Sequence, residues 1–128
     1  MDKTISIFKA LSDKNRMRMV LALIQHEELC ACQLTELIQV TGATASRHMG
    51  VLIASTLVES RKEGRWVYYR LCTEKEELKE LISWIERKLK NDPLRAADSK
   101  TLYAIKASNP EDICRKQRGE KCCPKKIK

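Results

Sequence analysis

The fold is decided by residues 29–49, which read LCACQLTELIQVTGATASRHM. Apolar side chains keep helical spacing on both sides of a break at Thr41-Gly42. They are Leu34, Leu37 and Ile38 before the break and Ala45, Met49, Leu52 and Ile53 after it. Two short helices joined by a glycine-containing turn outline a helix-turn-helix. The sequence therefore predicts that the second helix enters the major groove of DNA, with Thr41 as its N-cap.

A β-hairpin is predicted directly after the second helix. Residues 57–61 and 66–72 are rich in side chains typical of strands, and Lys62-Glu63-Gly64-Arg65 separates them. Glycine adopts the positive φ that a hairpin turn requires. A two-stranded wing beside a helix-turn-helix favours DNA binding over an ordinary solvated turn.

Amphipathic helices are predicted on both sides of this unit. Ile5, Phe8 and Leu11 share one side of a short helix, and Ser12 or Asp13 can cap the helix that follows. Residues 74–90 place one apolar stripe opposite a charged face, formed by Leu78, Leu81, Ile82, Ile85 and Leu89. We expect a mainly α fold with a small β-hairpin wing, a winged helix-turn-helix that forms a homodimer through its terminal helices.

The chain divides, by pattern, into two parts. Residues 1–92 are expected to form the DNA-binding and dimerisation domain, and residues 93–128 a basic, cysteine-containing C-terminal extension. Residues 94–107 have the pattern of a further helix, which Ser108-Asn109-Pro110 ends. The charged remainder, 108–128, has few apolar anchors, so we expect it to be mobile unless a ligand orders it.

The charge and the cysteines narrow the class of protein. The formal net charge is +8, and residues 106–128 contribute +5 of it, with eight Lys or Arg and three Asp or Glu. This balance favours an anionic partner. The start of the chain has no leader pattern and no run is long enough to span a bilayer, so we expect a cytoplasmic protein with no membrane partner. Six cysteines in a reducing compartment indicate metal, metalloid or redox chemistry rather than disulfides.

The DNA-contacting residues are predicted from their positions in the second helix and the wing. Arg47 can form a bidentate pair with guanine, and it is the first candidate for sequence specificity. His48 is a secondary candidate, because its side chain can equally pack within the helix turn. The predicted contacts are Thr44, Ser46, Arg47 and His48 on the helix, with Lys62 and Arg65 at the wing tip.

Four motifs together resemble the ArsR/SmtB family of metalloregulatory repressors over about residues 5–90. They are Phe8-Lys-Ala-Leu-Ser-Asp, Glu28-Leu-Cys-Ala-Cys-Gln-Leu, Ser46-Arg-His and the segment from Leu57 to Leu71. The resemblance implies a winged-helix dimer that leaves operator DNA when it binds a metal ion or an arsenical. It also implies that Cys30 and Cys32 are metal ligands.

The sequence departs from the arsenite- and antimonite-responsive branch at one position. In that branch a third thiol follows the second cysteine of Glu-Leu-Cys-x-Cys by three residues, and here that position is Thr35. The zinc sensors of the family carry histidine and carboxylate ligands on the C-terminal helix, whereas His26 and His48 both lie outside residues 74–90. The resemblance therefore disfavours a helical zinc site.

Two sets of thiols can supply three ligands. One combines Cys30 and Cys32 with a thiol from the tail of either protomer. The other is Cys114, Cys122 and Cys123, which we favour slightly because flexible chain and nearby cationic side chains promote convergence and the thiolate form. Residues two apart in a regular helix point to opposite sides, so chelation by Cys30 and Cys32 is expected to require a distorted helix start. Cys72 is expected to pack.

The sequence predicts a DNA-binding repressor released from double-stranded operator DNA by trivalent arsenic or antimony, with no cofactor required for DNA binding. Thiolates favour such soft centres over magnesium, calcium or manganese. Alternative effectors are cadmium, lead, a methylated arsenical or a thiol-redox signal. A thiol-dependent reductase is disfavoured, since there is no phosphate-cradling glycine loop and no Cys-x-x-Cys. A structural zinc module remains as a third class, and it would need zinc to fold.

Overall fold

A computed structural model describes residues 1–117. Within that range the chain forms helices and strands in the order given next. They are α1 (Asp2–Leu11), α2 (Lys14–Gln25), β1 (Leu29–Cys30), α3 (Ala31–Ile38), α4 (Gly42–Ala54), β2 (Val58–Glu63), β3 (Trp66–Leu71), α5 (Glu76–Lys88), α6 (Pro93–Ala107) and α7 (Pro110–Gln117). The predicted winged helix-turn-helix fold is confirmed.

The helix-turn-helix consists of α3 and α4. Gln39 has a φ of 55°, the left-handed conformation that ends a helix and turns the chain. Thr41 caps α4 as predicted, because its hydroxyl oxygen accepts a hydrogen bond of 3.1 Å from the backbone N–H of Thr44. Ala45, Met49 and Leu52 then face the core and leave the opposite side of α4 to solvent.

The wing contains one strand more than the sequence predicted. β2 and β3 form the predicted antiparallel hairpin, and Gly64 turns it with a φ of 64°. The two-residue strand β1 pairs antiparallel with β3, and this pairing places Cys30 opposite Tyr68 in a sheet of order β1-β3-β2. Two residues are too few to show an alternating pattern, so β1 has no signal in the sequence.

The buried core lies between α2, α3, α4 and the sheet. Its fully buried large side chains include Met19, Leu29, Leu34, Leu52 and Leu57. On the far side of α3 from the wing, the guanidinium of Arg18 makes two hydrogen bonds of 2.9 and 3.0 Å to Asp98 and one of 3.2 Å to the carbonyl oxygen of Leu37. This network joins α2, α3 and α6.

The sequence predicts a dimer interface along the apolar stripe of α5, but three side chains of this stripe pack inside the protomer. Leu78, Ile82 and Ile85 are buried against the protomer's own core, because a domain this small needs α5 to cover it. Three of the exposed large apolar side chains lie on α1 and α5: Ile5, Phe8 and Trp84, which are 46%, 57% and 53% exposed. The first helix and the outer side of α5 therefore share an apolar surface.

Residues 110–117 differ from the expectation of a mobile tail. They form α7, which packs on α3 with Ile113 and Cys114 buried. The side-chain amide of Gln117 donates hydrogen bonds to the carbonyl oxygen of Cys32 at 2.9 Å and to the carboxylate of Glu36 at 3.2 Å. Two adjacent apolar residues on a short helix suffice as anchors once α3 offers a complementary face. The predicted helix over 94–107 is present as α6.

No helix among residues 1–117 is both long enough and apolar enough to cross a membrane.

Candidate thiol site and nucleic-acid interface

Cys30 is the N-cap of α3. Its backbone is extended, with φ −86° and ψ 162°, and its side chain is 1% exposed. The backbone N–H of Gln33 donates to the Cys30 sulfur, while the Gln33 side-chain oxygen accepts from the backbone N–H of Cys30 at 2.9 Å. This is a capping box in which sulfur replaces the usual hydroxyl oxygen.

Cys32 lies within hydrogen-bonding contact of Cys30. The Cys32 thiol donates to the Cys30 sulfur, and this bond, aided by the backbone N–H groups aimed at the same sulfur, lowers the pKa of Cys30 from 9.0 to about 7. Burial opposes the shift without cancelling it. Cys30 precedes the helix, and its extended backbone lets the two thiols meet with α3 intact. The expectation that chelation distorts the helix start stays a prediction.

The position of the missing third thiol is occupied by Thr35. Its side chain is buried, and its hydroxyl donates a hydrogen bond of 2.8 Å to the carbonyl oxygen of Ala31. Among residues 1–117, no group of three or more His, Cys, Asp or Glu side chains is arranged to hold a metal ion. Because Thr35 has no thiol, α3 does not supply a third thiolate to this site.

The remaining cysteines differ in their burial and in whether the structure describes them. Cys114 is completely buried on α7, and Cys72 is half-buried at the end of the wing, where desolvation raises the pKa of its thiol. Cys122 and Cys123 lie outside the described residues, so the predicted set of Cys114, Cys122 and Cys123 stays a prediction.

A cavity of about 230 Å³ lies between α3, α4 and the wing. It adjoins Cys32 and Thr35 on one side and reaches two residues predicted to contact DNA, Ser46 and Arg65. The other lining residues are Ala31, Gly42, Ala45, Met49, Trp66, Val67, Tyr69 and Gln117. The thiol site and the predicted DNA face thus share one cavity.

Four of the six residues predicted to contact DNA are exposed to solvent. Ser46 and Arg47 point outward from α4, and Lys62 and Arg65 lie exposed on the wing. None of these three cationic side chains forms an ion pair with another residue of the described segment 1–117. Thr44 is half-buried, and its hydroxyl is 3.0 Å from that of Thr41 at the helix cap. The helix α4 and the wing therefore both carry exposed positive charge that is not neutralised within residues 1–117.

His48 is turned into the protein. A guanidinium N–H of Arg16 donates to its Nδ1 at 3.0 Å, its Nε2 is 3.9 Å from the carboxylate of Asp13, and its side chain is 13% exposed. Since arginine only donates, Nδ1 is the accepting nitrogen in this contact. These contacts support the packing interpretation of His48 rather than base recognition. Arg16, which the sequence analysis overlooked, also donates to the carbonyl oxygen of Ala10 at 2.8 Å.

A second overlooked contact ties the thiol site to the wing. Arg61 on β2 forms a bidentate pair with Glu28, with N–O distances of 2.7 and 2.8 Å, and its guanidinium lies 4.7 Å from the centre of the Tyr68 ring. Glu28 is the first residue of the Glu-Leu-Cys-x-Cys motif. Its position in the motif is the only feature of the sequence that could have indicated its role. This pair fixes the segment before Cys30 to the strand that leads to the wing tip.

The chain is similar in sequence to known helix-turn-helix proteins and transcriptional regulators. Residues 11–61 match a helix-turn-helix domain family. The chain is 36% identical over 84 residues to an arsenic resistance transcriptional regulator, ArsR1, of Pseudomonas putida, covering 66% of this chain and 61% of that protein. It is 36% identical over 83 residues to ArsR2 of the same organism, covering 65% and 67%. A cadmium resistance transcriptional regulatory protein of Listeria innocua is 44% identical over 62 residues, covering 48% and 52%. The chain thus spans about half to two thirds of these relatives.

Solved structures share the fold. HlyU from Vibrio cholerae matches with a TM-score of 0.60 at 27% identity, covering 67% of this chain and 90% of that one. A homodimeric winged helix-turn-helix DNA-binding domain from Mycobacterium bovis matches with a TM-score of 0.58 at 25% identity, covering 71% and 86%. Both matches span about two thirds of this chain.

The contact between the two thiols predicts a pH titration. Thiolate absorbance of the reduced protein should include an ionisation with a midpoint near pH 7, because hydrogen bonds to the Cys30 sulfur favour its charged form. Cys32→Ala removes the thiol hydrogen bond, the largest cause of the lowered pKa, and should move the midpoint upward toward the ordinary value of 9.0. Cys72→Ser is the control, since it should leave the midpoint unchanged. A midpoint that ignores Cys32→Ala would contradict the contact.

Proposed function

The chain belongs to the ArsR/SmtB family of winged helix-turn-helix transcriptional regulators, and on that premise we propose that it is a repressor released from operator DNA by trivalent arsenic or antimony bound to Cys30 and Cys32. It is a regulator and not an enzyme. The observation that carries the proposal is the hydrogen bond between the two thiols at the N-cap of α3. The arsenic resistance regulators of Pseudomonas putida among its relatives support the choice of effector.

The chemistry of the pair suits a soft, trivalent centre. A thiolate fraction of Cys30 near neutral pH supplies the nucleophile, and the Cys32 thiol is already in contact with it. Each As–S bond that forms replaces an As–OH bond and releases water, so arsenic stays trivalent. The thiols must be reduced for this reaction, which is why we place the protein in the cytoplasm.

Binding at this place would act on the DNA face through α3. Arsenic bonded to both sulfurs removes the Cys32 thiol hydrogen bond and competes with the backbone N–H groups for the Cys30 sulfur. The start of α3 then changes, and α3 packs directly against α4, which carries Arg47. A ligand that prefers this altered arrangement shifts the population away from the DNA-bound state.

Homodimerisation is proposed from an apolar surface that α1 and α5 share. A groove between them is lined by Ile7, Phe8, Leu78 and Leu81, and Trp84 extends the surface by one helical turn. A second copy covers these side chains and brings two recognition helices to the two halves of an operator. The homodimeric domain from Mycobacterium bovis, which shares this fold, supports the same assembly.

Cadmium is a second candidate effector. The Listeria innocua relative is a cadmium resistance regulator, and thiolates bind cadmium as well as arsenic. The two effectors differ in coordination, because cadmium commonly takes four donors, whereas residues 1–117 bring no more than two thiols together. The structure of the described part of the chain thus favours arsenic.

Release by the effector is the decisive experiment. Fluorescence anisotropy of reduced protein on DNA from upstream of its own gene should fall when arsenite is added in stoichiometric amounts. The double variant Cys30→Ser/Cys32→Ser should bind DNA but no longer respond, and Cys72→Ser should respond as the wild type does. Retention on DNA with every trivalent arsenical, together with release by cadmium, would replace this effector by the second candidate.

The exposed cations predict two different DNA-binding defects. Arg47→Ala should weaken operator binding by about 1–3 kcal/mol and relax the preference for one base pair, since a bidentate pair with guanine is lost. Lys62→Ala should weaken operator and random DNA alike and reduce the salt dependence by about one counterion. Lys100→Ala, an exposed lysine on α6, is the matched control. Equal losses on both DNAs for Arg47→Ala would contradict its role in specificity.

The apolar surface predicts a change of oligomeric state. Phe8→Glu places a charge in the groove and should shift the protein from dimer to monomer in sedimentation velocity, with a loss of operator affinity. Tyr103→Glu changes an aromatic side chain that is 80% exposed on α6, and it should leave the dimer intact. Dissociation by Tyr103→Glu but not by Phe8→Glu would move the interface to α6.

A further inference from the structure

We propose that Arg16 and His48 are positioning residues for operator binding, which fix the recognition helix α4 to the end of α1. The inference rests on the proposed function, because it concerns how the proposed dimer presents two recognition helices to one operator. Two observations carry it. The guanidinium of Arg16 contacts both α1 and α4, and the side chain of His48 is turned away from the exposed side of α4.

The side chain of Arg16 joins three helices. It extends from the first turn of α2 and donates hydrogen bonds to the carbonyl oxygens of Ala10 at 2.8 Å and Lys9 at 3.4 Å. Both carbonyl groups belong to the last turn of α1, where the helix itself supplies no partner and a cation is favoured. A third N–H donates to Nδ1 of His48 on α4 at 3.0 Å.

His48 has a polar neighbour at each ring nitrogen. Its Nδ1 accepts from Arg16, and its Nε2 is 3.9 Å from the carboxylate of Asp13. Asp13 is itself held as the N-cap of α2, since its carboxylate accepts a hydrogen bond of 3.0 Å from the backbone N–H of Arg16. The imidazole therefore lies in a place that the start of α2 defines.

This contact sets the rotation of α4 about its own axis. The other inward side chains of α4 are mainly apolar and include Ala45, Met49 and Leu52. Apolar contacts are not directional, whereas a hydrogen bond weakens steeply when its angle changes. Arg47 directly precedes His48 and is exposed. A rotation that breaks the contact between Arg16 and His48 therefore also turns Arg47 away from its present direction.

The same contact connects α4 to the surface proposed for dimerisation. Phe8 on this surface is 57% exposed, and it directly precedes the two residues whose carbonyl oxygens bind Arg16. In a dimer the interface holds α1 of each protomer, and Arg16 passes that position on to α4. An operator offers its two half-sites at a fixed spacing. The contact should therefore matter most when both recognition helices bind at once.

The test compares the complete operator with DNA that retains one half-site. The operator is first located by footprinting on DNA upstream of the gene, and binding of the reduced full chain is measured by fluorescence anisotropy. His48→Phe keeps a flat ring but removes the acceptor for Arg16. It should lower affinity for the complete operator about tenfold. Affinity for the single half-site and the salt dependence should stay nearly unchanged, because His48 faces inward.

Two further variants separate positioning from a loss of stability. His48→Asn places an oxygen acceptor near the position of Nδ1 and should recover most of the affinity for the complete operator. Leu102→Ala removes a fully buried side chain on α6, so it should lower the melting temperature without changing the ratio of the two affinities. Failure of His48→Asn to recover binding, or a changed ratio in Leu102→Ala, would overturn the proposal.

A direct contact of His48 with DNA gives a different pattern. His48→Phe would then weaken both DNAs equally, and this result would overturn the positioning role. Arg16→Met should lower affinity for the complete operator at least as much as His48→Phe does. The double variant should lose no more than Arg16→Met alone, because both changes remove one contact. Additive losses would contradict the contact.

The wild type separates this inference from the proposed function. If the wild type prefers its operator and is released by arsenite while His48→Phe binds the complete operator equally well, only the positioning role fails. If the wild type does not prefer its operator over random DNA, the proposed function fails and the positioning role fails with it.

Discussion

The Cys30 sulfur is the atom on which the rest of the arrangement depends. It accepts hydrogen bonds from the start of α3 and from the Cys32 thiol, while the backbone of the same residue pairs with β3 opposite Tyr68. One residue thus belongs to the helix-turn-helix and to the wing at once. Any chemistry at this sulfur changes a helix cap and a sheet edge together, and both elements lead to the predicted DNA face.

The surrounding contacts make that connection stiff. Glu28 is held by the bidentate pair with Arg61, Gln117 binds the carbonyl oxygen of Cys32, and Arg18 binds the carbonyl oxygen at the other end of α3. The helix α3 is therefore fixed to the wing at its start and to α2 and α6 at its end. A stiff element has few ways to absorb a change at its N-cap, so the change passes to the neighbour against which it packs, α4.

The sequence predicted the elements that have local signals. Thr41 as a cap, Gly64 in the wing turn and the apolar spacing of α3 and α4 each follow from residues close in the chain. The contacts that the sequence did not predict depend on residues far apart along the chain. The meeting of Cys30 with Cys32 depends on the pairing of β1 with β3, the inward turn of His48 depends on Arg16, and the docking of α7 depends on the face of α3. None of these contacts is visible from local spacing, because only the tertiary fold brings the residues involved together.

The energies of the contacts at this small site are of the size that the proposed regulation needs. A side chain that caps a helix contributes about 1 kcal/mol to its stability, and hydrogen bonds to a charged group contribute roughly 1.5–3 kcal/mol. Allosteric coupling of about 1–3 kcal/mol changes affinity by about 5- to 150-fold. Exchanging the hydrogen bonds at the Cys30 sulfur for bonds to arsenic therefore involves energies of the size that operator release needs. Because the cap is local and α3 packs on α4, the proposed release needs no rearrangement of the whole domain.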